Sequence, residues 1–177
     1  MFEREIINMK PISVAEHSAH RATEEAIRIW ALGSAEYPIT GGSLIQHYSE
    51  VAVVDSVTEF ATNGRRALEA YKLKENIYLN QTRWNWKPTQ GHDKVSVLRE
   101  ALDRIIHAQH LEVGFEKSAV KASCMGGDGI VIPYVLARTD RKALSYIDLF
   151  AMGHAWLFQV LPGINSQKNG SICTATA

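Results

Sequence analysis

A chain of 177 residues with 46% hydrophobic and 21% charged residues has the size and make-up of a single globular domain. Such a chain buries roughly 70% of its unfolded surface. Lys plus Arg and Asp plus Glu each total 19, so no global basic field argues for nucleic acid. Cys124 and Cys173 lack any CxxC or zinc spacing, which excludes a disulfide framework and a thiolate zinc site.

The N-terminal MFEREIINMK carries charges where a signal peptide needs an apolar run, and no apolar stretch reaches about 18 residues. The expectation is a cytoplasmic protein with no membrane contact and one domain over 1–177. Ser13-Val-Ala-Glu16 has the form of a capping box, opening a helix expected over about 13–33. Tyr37-Pro-Ile-Thr-Gly-Gly reads as a loop.

Leu44, Tyr48, Val51, Val54, Val57, Phe60, Ala61, Leu68 and Tyr71 recur at spacings of three and four, which predicts a long helix over about 43–74. Asn76 to Gly91 has no such order. The stretch His92 to Glu112 is the clearest amphipathic helix, expected over about 93–111: Leu98, Ala101, Leu102, Ile105 and Gln109 share one side. Past it, two apolar runs joined by Gly126-Gly127-Asp128-Gly129 read as a β-hairpin over about 112–137. A fourth helix is expected over about 143–161, ended by Pro162 and Gly163, with a loose tail at 165–177. The fold expected is mainly α (α+β): a four-helix bundle with a hairpin inserted between the third and fourth helices.

Chemistry concentrates on the far side of the 93–111 helix, where Arg99, Asp103, His107 and His110 fall within about 80° of arc. Asp103 is spaced to hold His107 as a proton-exchanging group, and Arg99 or Arg104 to steady a phosphate. The same spacing suits a solvated helix face with ordinary ion pairs. Leu98-Arg-Glu-Ala-Leu-Asp-Arg-Ile-Ile-His107-Ala resembles the second signature helix of HEPN-type domains, marked by an arginine and a histidine four to six residues further on. Arg104 and His110 have that spacing. Asn63-Gly-Arg-Arg-Ala-Leu-Glu69 is similar to the helix that packs against it in those domains.

The resemblance implies a HEPN-like homodimer from a defence or toxin–antitoxin setting. It also implies a metal-independent ribonuclease without cofactor, with RNA as substrate and an antitoxin as partner. His107 or His110 would then move the proton, Arg104 and Arg99 would stabilise phosphate, and Asp103 would orient the imidazole. Leu102 stands where an arginine spaced to His107 would be, so the second reading is a HEPN-like interaction module without catalysis.

Two further constellations stand out. His17-Ser-Ala-His20 and His107-Ala-Gln-His110 are HxxH pairs, which on adjacent helices would offer four imidazoles to a metal. Arg83, Trp84, Trp86 and Lys87 mix aromatic and basic residues as single-strand binders do, although such tryptophans more often cover the end of a bundle.

Overall fold

The structure, a computed structural model, describes residues 13–38, 42–73, 76–122 and 127–173. Helix α1 (Val14–Ser34) opens on the capping box: Glu16 N donates to Ser13 Oγ at 3.1 Å, and Ser13 N to the Glu16 carboxylate at 3.2 Å. These two bonds satisfy orphan donors of the first turn. Helix α2 (Gly42–Ala70) is the long helix, and Val53, Val57, Phe60, Ala61 and Leu68 line its buried side.

The rest departs from the bundle. Strand β1 (Glu36–Pro38) follows α1, β2 (Asp93–Lys94) precedes the short helix α3 (Leu98–Ile106), and β3 (His110–Ala122), β4 (Gly127–Arg138) and β5 (Ser145–Asp148) follow it. These five strands form one mixed sheet. β4 is its centre, antiparallel to β3 along one edge and to β1 and then β5 along the other, with β2 parallel to β5. The chain therefore folds as α+β, and the four-helix bundle with an inserted hairpin is overturned. The expected hairpin is present as β3–β4, but as the middle of a sheet. Of its expected glycine turn, Gly127 to Gly129 belong to β4 and Gly126 lies outside the described residues.

Two local causes explain the difference. The third helix has nine residues instead of the expected nineteen or so, because Asp93 and Lys94 are taken by β5 and Val95 N donates to Tyr146 O at 2.9 Å. Val97 is still extended (φ −121°, ψ 131°), as suits a β-branched residue. At the other end His107 leaves the helical region and His110 is already strand. The fourth helix starts at 149, because Ser145 to Asp148 form a strand buried on both faces. Four residues with a polar one at each end are too short to show a strand's period beside the helix that follows.

Helix α4 (Leu149–Ala155) then runs without a break through a π-helical segment (Trp156–Val160) into α5 (Leu161–Cys173), where a loose tail was expected. Leu161 N donates to Trp156 O, the i→i−5 bond of a π turn. Pro162, expected to end the helix, lacks the N–H that would bond back to Phe158, and the wider turn ahead of it takes up the break.

The helices lie on one face of the sheet. Val113, Ile132, Val135, Ala137 and Ile147 join them in the main core, centred on Trp156 and Phe60 with ring centroids 5.4 Å apart. Gly153 lets α4 approach α1 closely: a Cβ there would sit 2.7 Å from Trp30 Cβ and 2.8 Å from Ala26 O. On the other face Tyr134, Leu136 and Tyr146 form a second cluster with Trp86 and Leu144. Residues 76–91, free of helix and strand apart from a single bridge at Tyr78, start against the main core at Ile77 and Leu79 and form a strap whose Trp86 and Thr89 lie against this second face.

Asp148 ties strap, sheet and helix together. It is 1% exposed. Its Oδ1 accepts Ala151 N at 2.9 Å, capping α4, and its Oδ2 accepts Thr82 Oγ1 at 2.9 Å, Trp86 Nε1 at 3.0 Å and Lys94 Nζ at 3.1 Å. Lys94 also sits 4.4 Å from the Trp86 ring centroid, a cation–π contact. Removing one partner of a buried pair costs about 3–5 kcal/mol. Lys94 keeps 32% of its side chain in water, which places Asp148→Ala at the lower end of that range. Urea unfolding is expected to show a loss of about 3 kcal/mol for Asp148→Ala and a smaller one for Asp148→Asn. A loss under about 1 kcal/mol for the alanine variant would remove Asp148 from this role.

Candidate functional site

The candidate catalytic residues meet only in part. Leu98, Ala101, Leu102 and Ile105 are buried as their spacing requires, so α3 turns Asp103, Arg104 and His107 outward. These three, with the turn Thr139–Lys142 between β4 and β5, line a cleft of about 280 Å³. The turn is ordered by its own bonds: Thr139 N donates to Lys142 O at 3.3 Å, and Thr139 Oγ1 accepts Lys142 N at 3.0 Å.

Within the cleft the arginine is committed elsewhere. Arg104 is 12% exposed and donates to Glu100 from Nε at 3.2 Å and from Nη2 at 3.0 Å. Its Nη1 reaches Ser145 Oγ at 2.6 Å and Ala143 O at 3.3 Å. The Nη1 bonds clamp α3 to β5 and the segment just before it, the Glu100 bonds hold the guanidinium along its own helix, and none points to a ligand. Asp103 is likewise engaged: its Oδ1 accepts Arg65 Nε from α2 at 2.7 Å. Arg99 lies 3.9 Å from Glu69, which also takes Arg65 Nη1 at 2.9 Å. His107 is the exception, an exposed imidazole whose ring makes no hydrogen bond or ion pair with the described residues.

His110 does not join it. In the antiparallel register His110 faces Arg138 and Glu112 faces Leu136, and directly opposed residues point to one face of a sheet. Leu136 belongs to the strap-side cluster, so His110 lies on that side, with Nε2 3.3 Å from Glu112. The cleft holding His107 is on the helix side. The sheet thus separates two imidazoles that sequence spacing puts on one helix face.

The four-histidine metal site does not assemble either. His20 is exposed on α1 and 3.5 Å from Glu24, His17 is exposed beside it, and no group of three or more metal-ligating side chains occurs among the described residues.

The Arg83–Lys87 stretch lies in the strap. Both tryptophans anchor it: Trp84 Nε1 donates to Gly33 O at 2.6 Å, at the C-terminal turn of α1, and Trp86 Nε1 donates to Asp148. The Trp86 ring packs on Tyr134 and Tyr146, with centroids 4.5 and 5.5 Å away. Arg83 lies over Trp84 at 5.3 Å. Trp84, Trp86 and Lys87 also border a second cleft, of about 270 Å³, closed on its far side by Glu116, Lys117 and Val131. Tyr134 Oη donates to Glu116 at 2.8 Å, and burial, with that carboxylate beside it, holds the phenol well above its ordinary range.

Sequence reasoning missed the Thr139–Lys142 turn, Glu100, Lys117 and the residues gathered on Asp148. The turn and Lys117 have no helical period, and Glu100 is one polar residue among several on the exposed side of an amphipathic helix. Asp148 carried a legible signal, since aspartate is a favoured residue just ahead of a helix.

Among the described residues no helix is long and apolar enough to cross a membrane.

Glu100 offers a direct test of the clamp. Its carboxyl is held below the ordinary value of 4.5, first by the Lys142 hydrogen bond and then by Arg104, against partial burial. A depressed folded value means the unfolded chain binds the extra proton first. The contribution is therefore full above about pH 4.5 and is lost as pH falls through the folded value. Wild type is expected to exceed Glu100→Gln in stability at neutral pH, with the gap closing below pH 4.5 in thermal melts. A gap independent of pH would contradict the clamp.

Compared with protein-family models, curated proteins and solved structures, the chain matches none.

Proposed function

We propose that this chain is a non-catalytic interaction module. One observation carries the reading: the residues that a hydrolytic site would need are divided, with Arg104 and Asp103 tied into internal pairs and His107 and His110 on opposite sides of the sheet. A metal-independent phosphodiester cleavage needs a proton-transfer group and a free cation around one phosphate. Here the cation nearest His107 on α3 holds the fold together instead. The setting we propose is the cytoplasm, with a protein partner as the main ligand.

A second reading, the ribonuclease, has one observation in its favour. The His107 ring, in the 280 Å³ cleft, has no hydrogen-bond or ion-pair partner among the described residues, and the exposed Arg141 lines the same cleft. In that reading RNA is the substrate and Arg141 takes the role that spacing gave to Arg104.

Total RNA incubated in EDTA with wild type, His107→Ala and His110→Ala separates the two. The interaction module predicts that wild type cleaves no more than His107→Ala. Cleavage by wild type that disappears in His107→Ala would refute the module and establish the nuclease.

A further inference from the structure

The second cleft combines three features. First, β3 is an edge strand: β4 is its one strand neighbour among the described residues, so along its other side its backbone groups face no strand. An unpaired edge is a template for another extended chain. Second, the cleft between the strap and β3 has an apolar lining in Val131 and the two indoles, supported on a rigid base. That base is built by Tyr134, whose ring lies over Gly114 where a Cβ would stand, and by Trp86 packed at a tilt against Tyr134.

Third, the rim is cationic. Lys87 on the strap and Lys117 on β3 are both exposed, and neither has a hydrogen bond or ion pair among the described residues. Glu116, the one carboxylate in the lining, is engaged by Tyr134 Oη.

We propose that β3 captures an extended acidic peptide of a protein partner. The peptide adds as a sixth strand, places an apolar side chain between Val131 and the tryptophans, and sets carboxylates beside Lys87 and Lys117. Main-chain bonds to the edge supply affinity, and the cleft and its two ammonium groups supply selection. This names the partner class for the interaction module and rests on that reading. The RNA assay above tests the reading itself, and the peptide measurement below tests only the partner.

The test is fluorescence anisotropy with three labelled decapeptides and the full chain. One alternates glutamate with valine and phenylalanine. The second has lysine for each glutamate. The third repeats the first with alternate backbone nitrogens methylated, which blocks ladder bonds on one edge. The acidic peptide is expected to bind at least about tenfold more tightly than either control. The variant K87E/K117E is expected to lose about tenfold for the acidic peptide, with an unchanged circular dichroism spectrum. Lys87→Gln and Lys117→Gln serve as milder variants if the double reversal fails to fold. His107→Ala is expected to bind as wild type does.

Equal binding of the acidic and lysine peptides, or no binding of any, overturns the proposal. So does a decauridylate that binds where the acidic peptide does not, which would assign the cleft to RNA. A wild-type dimer in sedimentation that K87E/K117E dissociates would assign the edge to a second copy, and overturns it too.

Discussion

One buried carboxylate holds three parts of this molecule in place. Asp148 is the last residue of β5 and the cap of α4, so its backbone fixes where sheet becomes helix. Its side chain then reaches the strap through Thr82 and Trp86, and β2 through Lys94. A charge that far from water is tolerated only when its lone pairs are filled, and here four donors fill them. The strap has no regular structure to position it. Its path over the sheet is set by this carboxylate, by Trp84 on Gly33 O, and by Thr89 against Tyr146 Oη at 2.8 Å. The edge cleft inherits its shape from that path, since Trp84 and Trp86 are both anchors and walls.

The same economy explains why a promising set of residues does not make a catalytic site. Helix α3 is short and sits between a buried helix layer and the ends of two strands. Its polar side chains are the means of fastening it: Asp103 to α2, and Arg104 to β5 and to Glu100. An arginine at 12% exposure with four acceptor contacts has little freedom to follow a phosphate. His107 escapes because it is the residue at which the helix ends, and its ring hangs past the last turn.

How much of this was legible follows from what period and capping report. The Ser13 box, the α2 stripe from Val57 onward and the buried row Leu98, Ala101, Leu102 and Ile105 were readable because each is a local pattern with a local cause, whereas Tyr48 and Val51 of the same stripe lie exposed. The strands β1, β2 and β5 have two to four residues each, too short for a period to declare itself. Ser145 to Asp148 were absorbed into the apolar rhythm of the helix that follows. His110 was assigned to α3 by spacing alone, and one missing turn of helix moved it to the other side of a sheet. Helical spacing and turn residues alone suggested the bundle architecture, and tertiary pairing of the short strands overrode it. The 280 Å³ cleft depends on a turn that begins 33 residues after the end of α3, which no local pattern announces.

The π segment bears on how this chain tolerates change in length. Met152, Trp156, Val160 and Ile164 are each at most 1% exposed, a row spaced by fours. In a regular α-helix such a row drifts by about 40° at every step, and three steps would carry Ile164 well round the cylinder. The underwound turn at Trp156–Val160 cancels part of that drift and keeps the row facing Phe60 and α1. The helix thus stores one surplus residue as a change of pitch. Losing a residue there would let the helix relax to regular pitch with little net rotation, because four residues at about 100° each turn the chain about as far as the five of the wider segment, so everything from Leu161 onward keeps its face. Insertions and deletions are ordinarily absorbed in loops, but in this fold one residue of slack lies inside a helix that joins the main core.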